Sequence, residues 1–283
     1  MHKNKPSMTA YKVGVNIISL GSKPGMEKIL PAGIVEATEK MLVAAGATNE
    51  TVVKIARSQW AVSLYEWFDW MMPGQFEAFA HRKAFCEQQV REMIGGGAGQ
   101  VLVLGAGYDT LGWRLAPEFP GVDFFEIDHP ATAVPKTKGV AALGGKDNLH
   151  LIGEDLGQRQ MVDVLAAHRK WDKSKATVIV AEGLVQYLPG EAVRDLFLQA
   201  AAITGPGSRV VFTYTSTGAD GRPDGGKWTG LILWLLKSSK EPWLFSIRPE
   251  ELTGFLHKTG WTYLPEAEGT GKHGVEYFGV AAR

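Results

Sequence analysis

The residues best suited to chemistry lie in one stretch, Val101-Leu102-Val103-Leu104-Gly105-Ala106-Gly107-Tyr108-Asp109-Thr110. A short apolar run enters a Gly-x-Gly turn, and a helical pattern starts directly after it. Glycines let a ligand approach the backbone, and the first turn of a helix presents N–H groups that have no partner within the helix. At the carboxyl end of a first strand, that combination predicts a nucleotide-like cofactor. A dinucleotide fingerprint needs a third glycine, so that a pyrophosphate can rest on the helix. Thr110 stands at that place, and the adjacent Asp109 would repel a pyrophosphate. A cofactor with a sulfonium and an amino-acid tail, and no phosphate, suits the site better, so S-adenosylmethionine is the expected ligand. About 21 residues after Gly105 come Glu126-Ile127-Asp128, which close a second apolar run. An acid there can accept hydrogen bonds from ribose hydroxyls. Asp128 comes last and is the favoured ribose ligand. Glu126 points the same way one pleat earlier, and is either that ligand or a core-facing helper.

The elements that must hold these residues follow from the rhythm of apolar positions. Apolar runs at residues 101–104, 122–128, 150–152, 176–181 and 209–214 alternate with helical stretches at 110–116, 130–143, 160–168 and 190–203. Continuous apolar strands between helices imply a parallel sheet covered on both faces. A helix at 249–258 and strands at 261–264 and 275–280 follow, and the Gly-rich joint at 269–274 suggests an antiparallel hairpin at the sheet edge. The expected architecture is α/β, a doubly wound, mostly parallel, seven-stranded sheet. Residues 1–95 read as a helical region, with helices at 30–45, 51–70 and 75–94 and three tryptophans, Trp60, Trp67 and Trp70. That region is expected to cap residues 96–283 and to wall a substrate pocket, with a lid insertion at about 217–247. The apolar stretch at 228–236, between Lys227 and Lys237, is too short to span a membrane. It reads as a buried or lid helix, with an interfacial membrane helix as the alternative.

Composition excludes several classes. Thirty basic and 30 acidic residues leave no net charge, which argues against a sequence-blind nucleic-acid binder. A single cysteine, Cys86, excludes a disulfide framework and fits a cytoplasmic protein. Residues 1–5 are polar with no apolar core behind them, unlike a signal peptide. No His/Asp/Glu cluster has metal-ligand spacing, so no metal is expected, nor a nucleic-acid or membrane partner. His129, before Pro130, reads as a helix cap.

The segments Leu104-Gly105-Ala106-Gly107-Tyr108-Asp109-Thr110, Trp113-Arg114-Leu115, Phe125-Glu126-Ile127-Asp128-His129-Pro130, Glu154-Asp155-Leu156 and Ala181-Glu182-Gly183-Leu184-Val185-Gln186-Tyr187-Leu188-Pro189 resemble, in order and spacing, the leucine carboxyl methyltransferase-like family. Tetracenomycin-type polyketide carboxyl O-methyltransferases are of this kind. The resemblance covers residues 80–216, about half the chain; the helical front and residues 217–245 match poorly. It implies a class I, Rossmann-like methyltransferase fold and S-adenosylmethionine as cofactor. It further implies that Arg82 pairs with the cofactor's carboxylate, that Gly105, Ala106 and Gly107 line its methionine part, and that Asp109 orders the loop. Glu126 or Asp128 would hold the ribose, Asp155 and Leu156 the adenine, and Glu182 would lie near the amino group. Tyr187 and Tyr214, at the ends of the fourth-strand motif and the fifth strand, are placed to touch substrate. The expected activity is O-methylation of a small-molecule carboxylic acid, polyketide-like. The alternatives are methylation of a protein's terminal carboxylate and a nicotinamide-dependent oxidoreductase with a degenerate fingerprint.

Overall fold

The computed structural model describes residues 6–70 and 72–283; the polar start at 1–5 lies outside the described residues. Five helices come first: α1 (Met8–Leu20), α2 (Ile34–Ala44), α3 (Glu50–Ala56), α4 (Gln59–Phe68) and α5 (Gln75–Gly95). Then strands and helices alternate: β1 (Gln100–Leu104), α6 (Leu111–Leu115), β2 (Asp123–Asp128), α7 (Pro130–Leu143), β3 (Leu149–Gly153), α8 (Met161–Ala166), β4 (Thr177–Ala181), α9 (Gly190–Ala202) and β5 (Arg209–Thr215). The chain ends with α10 (Thr229–Ser238), α11 (Pro249–Lys258), β6 (Thr262–Tyr263), β7 (Gly271–His273) and β8 (Glu276–Ala282).

The sheet runs β3-β2-β1-β4-β5-β8-β6. The first five strands are parallel and β8 is antiparallel to β5. Alternation along each strand buries both faces. Leu102, Leu104, Phe125 and Ile127 pack with residues of α8, α9 and α11 on one face, while Val101, Val103 and Phe124 meet α5 and α6 on the other. The chain leaves β1 toward β2 on one side and returns to β4 on the other, which opens a crevice at the carboxyl ends of β1 and β4.

Three details differ from the sequence reading. The outermost position of the expected seven is shared by two short strands, so the sheet has eight: β6 pairs with Tyr263↔Ala281 in register and β7 with Lys272↔Tyr277, both along β8. Left-handed Gly269 and Gly274 on either side of β7 force the separate turn. The helix expected at 51–70 breaks into α3 and α4 at Ser58, whose hydroxyl accepts a hydrogen bond from Ala61 N and caps α4. α1 was not foreseen, although Ile17, Ile18 and Leu20 are fully buried. It packs against α2 and the first half of α5 through Ile17, Leu20, Ile34, Phe76 and Ala80.

Lys136 ties α7 to the sheet below the glycine turn. Its ammonium lies 2.5 Å from Glu126 of β2 and donates to Ala106 O, and both charged residues are buried. Burial pushes the Glu126 carboxyl up, partly offset by Lys136. Lys136→Met should therefore cost about 3 kcal/mol by stranding a buried carboxylate, and Glu126→Gln in the same chain should recover most of it. Urea unfolding of the single and double variants measures both; equal losses in the two would refute the pairing.

Candidate functional site

The turn after β1 is held by backbone geometry that only glycine adopts cheaply. Gly105 and Gly107 sit at φ +63° and +48°. A Cβ on Gly105 would stand 2.8 Å from Leu184 Cδ1, and one on Gly107 2.9 Å from Ala10 Cβ of α1. Gly105 N donates to Ile127 O at 2.9 Å, which continues the ladder into the turn. Asp128 then fixes the loop from the neighbouring strand. One carboxylate oxygen accepts from Gly107 N at 2.5 Å and the other from His129 N at 2.6 Å. Burial raises the Asp128 pKa, and these N–H groups only partly oppose that.

Below the turn lies a buried cluster of five charges. Arg82 Nε donates to Glu182 at 2.7 Å, and its Nη1 donates to Glu276 at 2.9 Å. Lys83 Nζ donates to Asp109 at 2.5 Å and lies 2.9 Å from Glu182. Gln186 Nε2 donates to Glu276 at 3.2 Å. Asp109 also accepts from Leu111 N at 2.7 Å at the start of α6. Burial alone would raise the Asp109 pKa, but Lys83, Lys136 and the Leu111 N–H hold the carboxyl well below the usual range. Burial alone would lower the pKa values of Arg82 and Lys83, and the carboxylates more than reverse this. Two cations against three carboxylates leave one negative charge in excess.

These groups form the floor of a cavity of about 470 Å³. Val13, Gly14 and Ile17 of α1 form one wall, Phe79 of α5 another, and Ile232 and Leu236 of α10 the cover. The cover is fastened to α1 by Glu241, just beyond α10. Its carboxylate accepts from Ser7 Oγ at 3.0 Å, from Thr9 N at 2.9 Å and from Thr9 Oγ1. Among the described residues, three buried polar atoms of lining residues, Asn16 Oδ1, Gln186 Oε1 and Trp243 Nε1, have no partner within strict hydrogen-bond geometry. Among the described residues no histidine lines the cavity.

Of the residues singled out from sequence, Arg82, Gly105, Ala106, Gly107, Asp109, Asp128, Glu182 and Tyr187 line this cavity. Four do not. Glu126 lies beneath α6, paired with Lys136, so of the two acids only Asp128 faces the cavity. Tyr214 is in the core, stacked on Tyr277 at 5.3 Å and 2% exposed. The period of a strand explains this: Thr213 accepts from Gly183 N on the site side, so Tyr214 turns to the other face. Asp155 accepts from Gly157 N and lies 3.8 Å from the His129 ring, outside the cavity beyond Asp128. Leu156 packs on the core beside it. His129 caps α7, its Nδ1 accepting from Ala131 N. Arg82, expected to meet a ligand carboxylate, spends two of its three nitrogens on Glu182 and Glu276. Sequence reasoning missed Lys83, Glu276, Gln186, Trp243 and Glu241. Lys83 follows Arg82 directly, and adjacent helical residues do not normally share a face; Gln186 stands inside the Ala181–Pro189 motif beside Tyr187, and Glu241, Trp243 and Glu276 lie far from any motif.

The sheet order and cavity define a class I methyltransferase fold. The solved structure of a methyltransferase, provisionally so named, from Thermobifida fusca matches with a TM-score of 0.60 at 15% identity, over 92% of this chain and 97% of that one. The chain belongs to the leucine carboxyl methyltransferase family, which it matches over residues 35–201, more than half its length. A Mycolicibacterium paratuberculosis protein, provisionally named an S-adenosyl-L-methionine-dependent methyltransferase, is 32% identical over 139 residues, 49% of this chain and 44% of that relative. A second protein of that name and organism is 28% identical over 223 residues, 73% of this chain and 68% of its own. The chain thus spans less than half of the first relative.

The cluster makes a pH prediction. A carboxyl whose folded pKa lies below its unfolded value stabilises the fold above the unfolded value, near 3.8, and loses that contribution as pH falls toward the folded value. The stability gap between the unmodified chain and Asp109→Asn should be constant above about pH 5 and should shrink below the ordinary aspartate range near 3.9. Urea unfolding across a pH series reads it, and a gap independent of pH down to 2 would contradict the ion pairing.

Proposed function

We propose that the chain is an S-adenosylmethionine-dependent O-methyltransferase whose acceptor is the carboxylate of a small, largely apolar, polyketide-like acid. The cofactor fits the residues present. It carries two positive groups and one negative, and the floor offers one excess negative charge plus Asp128. The glycine turn presents backbone at positive φ, without side chains, to the cavity. Asp128 would accept from the ribose hydroxyls, Glu182 and Asp109 would face the amino-acid tail, and Asp155 with Leu156 would reach the adenine beyond the rim. Bound S-adenosylmethionine would supply the methyl group, the electrophilic sulfonium and the leaving group.

The observation that carries the carboxylate assignment is that, among the described residues, the cavity wall holds no free base. Among the described residues no histidine lines it, and Asp109, Glu182, Glu276, Asp128 and Glu241 are all tied to cations, N–H groups or hydroxyls. Burial raises the Tyr187 pKa, so its phenol keeps its proton at neutral pH and acts as a donor. An acceptor that must lose a proton would find no base among the described residues to take it, whereas a carboxylate arrives ionised. The chain then has to align the acceptor oxygen and exclude water, which the apolar walls and the cover over the cavity favour. Tyr187, with Trp243 beside it, would orient the second carboxylate oxygen. Family membership displaces the oxidoreductase alternative, and the apolar cavity favours a small molecule over a polar peptide terminus.

Gly105→Val should abolish S-adenosylhomocysteine binding in calorimetry while circular dichroism shows a folded chain; normal binding would remove the turn from the site. Binding in the unmodified chain should weaken on acidification from a pH above the ordinary aspartate range, because the Asp128 pKa is raised and its ionised form is the one that accepts. With a carboxylic acid acceptor, the rate at saturating cofactor should be nearly flat from about pH 6.5 to 8.5, and mild alkali should release the product's methyl group. A rate that climbs steeply with pH, with an alkali-stable product, would move the acceptor to a hydroxyl.

A further inference from the structure

The helix that covers the cavity has a second face. Ile232 and Leu236 of α10 point inward, while Trp228, Leu231, Trp234 and Leu235 are exposed, Trp234 by 61%. α4 carries a matching stripe, with Trp60, Leu64, Trp67 and Phe68 exposed at helical spacing. Trp70 and Trp228 join the two, ring edge to ring face at 4.9 Å. Five of the chain's nine tryptophans thus lie on one outer apolar surface, which monomeric soluble proteins rarely carry without a use.

The charges around it select the occupant. Between Gly225 and Lys240 there are three lysines, Lys227, Lys237 and Lys240, and no acid. All three are exposed, and none forms a salt bridge among the described residues. The nearby acids are engaged: Glu66 holds Lys23, Asp69 accepts from Gly74 N, Asp224 accepts from Gly226 N, and Glu241 is bound to α1. Indole rings seat at the boundary between headgroups and acyl chains, and lysines beside them are drawn to anionic headgroups. A second copy of the chain would meet the same lysines with lysines. We infer that the outer face of α10, together with that of α4, docks on an anionic lipid surface. This departs from the expectation of no membrane partner. It concerns association with a surface; among the described residues no helix is long and apolar enough to cross a membrane. Docking would put the cavity's cover against the lipid, where an apolar acid can pass without crossing water; that last consequence alone rests on the proposed acceptor.

Flotation with vesicles of phosphatidylcholine containing 30% phosphatidylglycerol tests the docking on the full chain. Binding is expected to the mixed vesicles, with a blue shift of tryptophan emission, and to fall at least tenfold with pure phosphatidylcholine or at high salt. The exposed pair Trp234→Ser with Leu235→Ser, and separately Lys227→Glu with Lys237→Glu, should each weaken binding at least tenfold. S-adenosylhomocysteine affinity should stay within twofold, which shows an intact fold. Absence of binding to the mixed vesicles at low salt, or binding that the variants leave unchanged, would overturn the inference. So would a concentration-dependent dimer that Trp234→Ser abolishes in a chain that does not float. A chain that floats but fails to bind S-adenosylhomocysteine would instead count against the proposed function alone.

Discussion

The site depends on one constraint: five charged side chains taken out of water must each find an opposite charge among the others. Arg82 and Lys83 leave α5 toward three different places, the end of β4 at Glu182, the start of β8 at Glu276 and the β1 turn at Asp109. Removing any partner strands a buried charge, so the geometry of the group is strongly specified even where its net contribution to stability is small. α5 is therefore held in register with the sheet by charge as well as by Phe85, Val90 and Phe278.

The rest of the cavity is arranged around that floor. Its polarity ends at Gln186, whose side-chain nitrogen is committed to Glu276 and whose backbone oxygen accepts from Leu244 N and Phe245 N. Those two bonds pull the segment after α10 back onto the turn after β4. Glu241 then fastens the same segment to the first turn of α1, where a carboxylate meets N–H groups that the helix cannot satisfy. Cover and front wall are thus coupled through one side chain. Lys240, just before it, is the one non-glycine residue at positive φ among the described residues, at 63°. This marks a tight bend between the cover and its fastening.

Much of this was legible in the amino-acid sequence, and the legible parts share a property: each is local. The boundaries of α7 and α11 follow from Pro130 and Pro249 at first helical positions, and the strands from unbroken apolar runs between glycines and acids. The Gly105–Asp109 turn could be recognised because its glycines, its helix start and Asp109's bond to Leu111 N all lie within a few residues. Asp128 could be placed because a parallel neighbour's end is fixed by strand length.

What sequence left open needed contacts between distant segments. Arg82 and Glu276 are 194 positions apart, and Ser7 and Glu241 are 234 apart. No periodicity encodes such pairs. Whether Glu126 or Asp128 faces the cavity was undecided by spacing, since both point the same way; Lys136, rising from α7, decided it by claiming Glu126. Tyr214 went to the core because pleating turned it away while Thr213 took the site side. The sequence by itself determined the strand rhythm and the Gly105–Asp109 turn, because short-range sterics and hydrogen bonding set both. The tertiary structure alone decided which charges neutralise one another and which face of each element meets the cavity, because buried charge must find its partner in space and not along the chain.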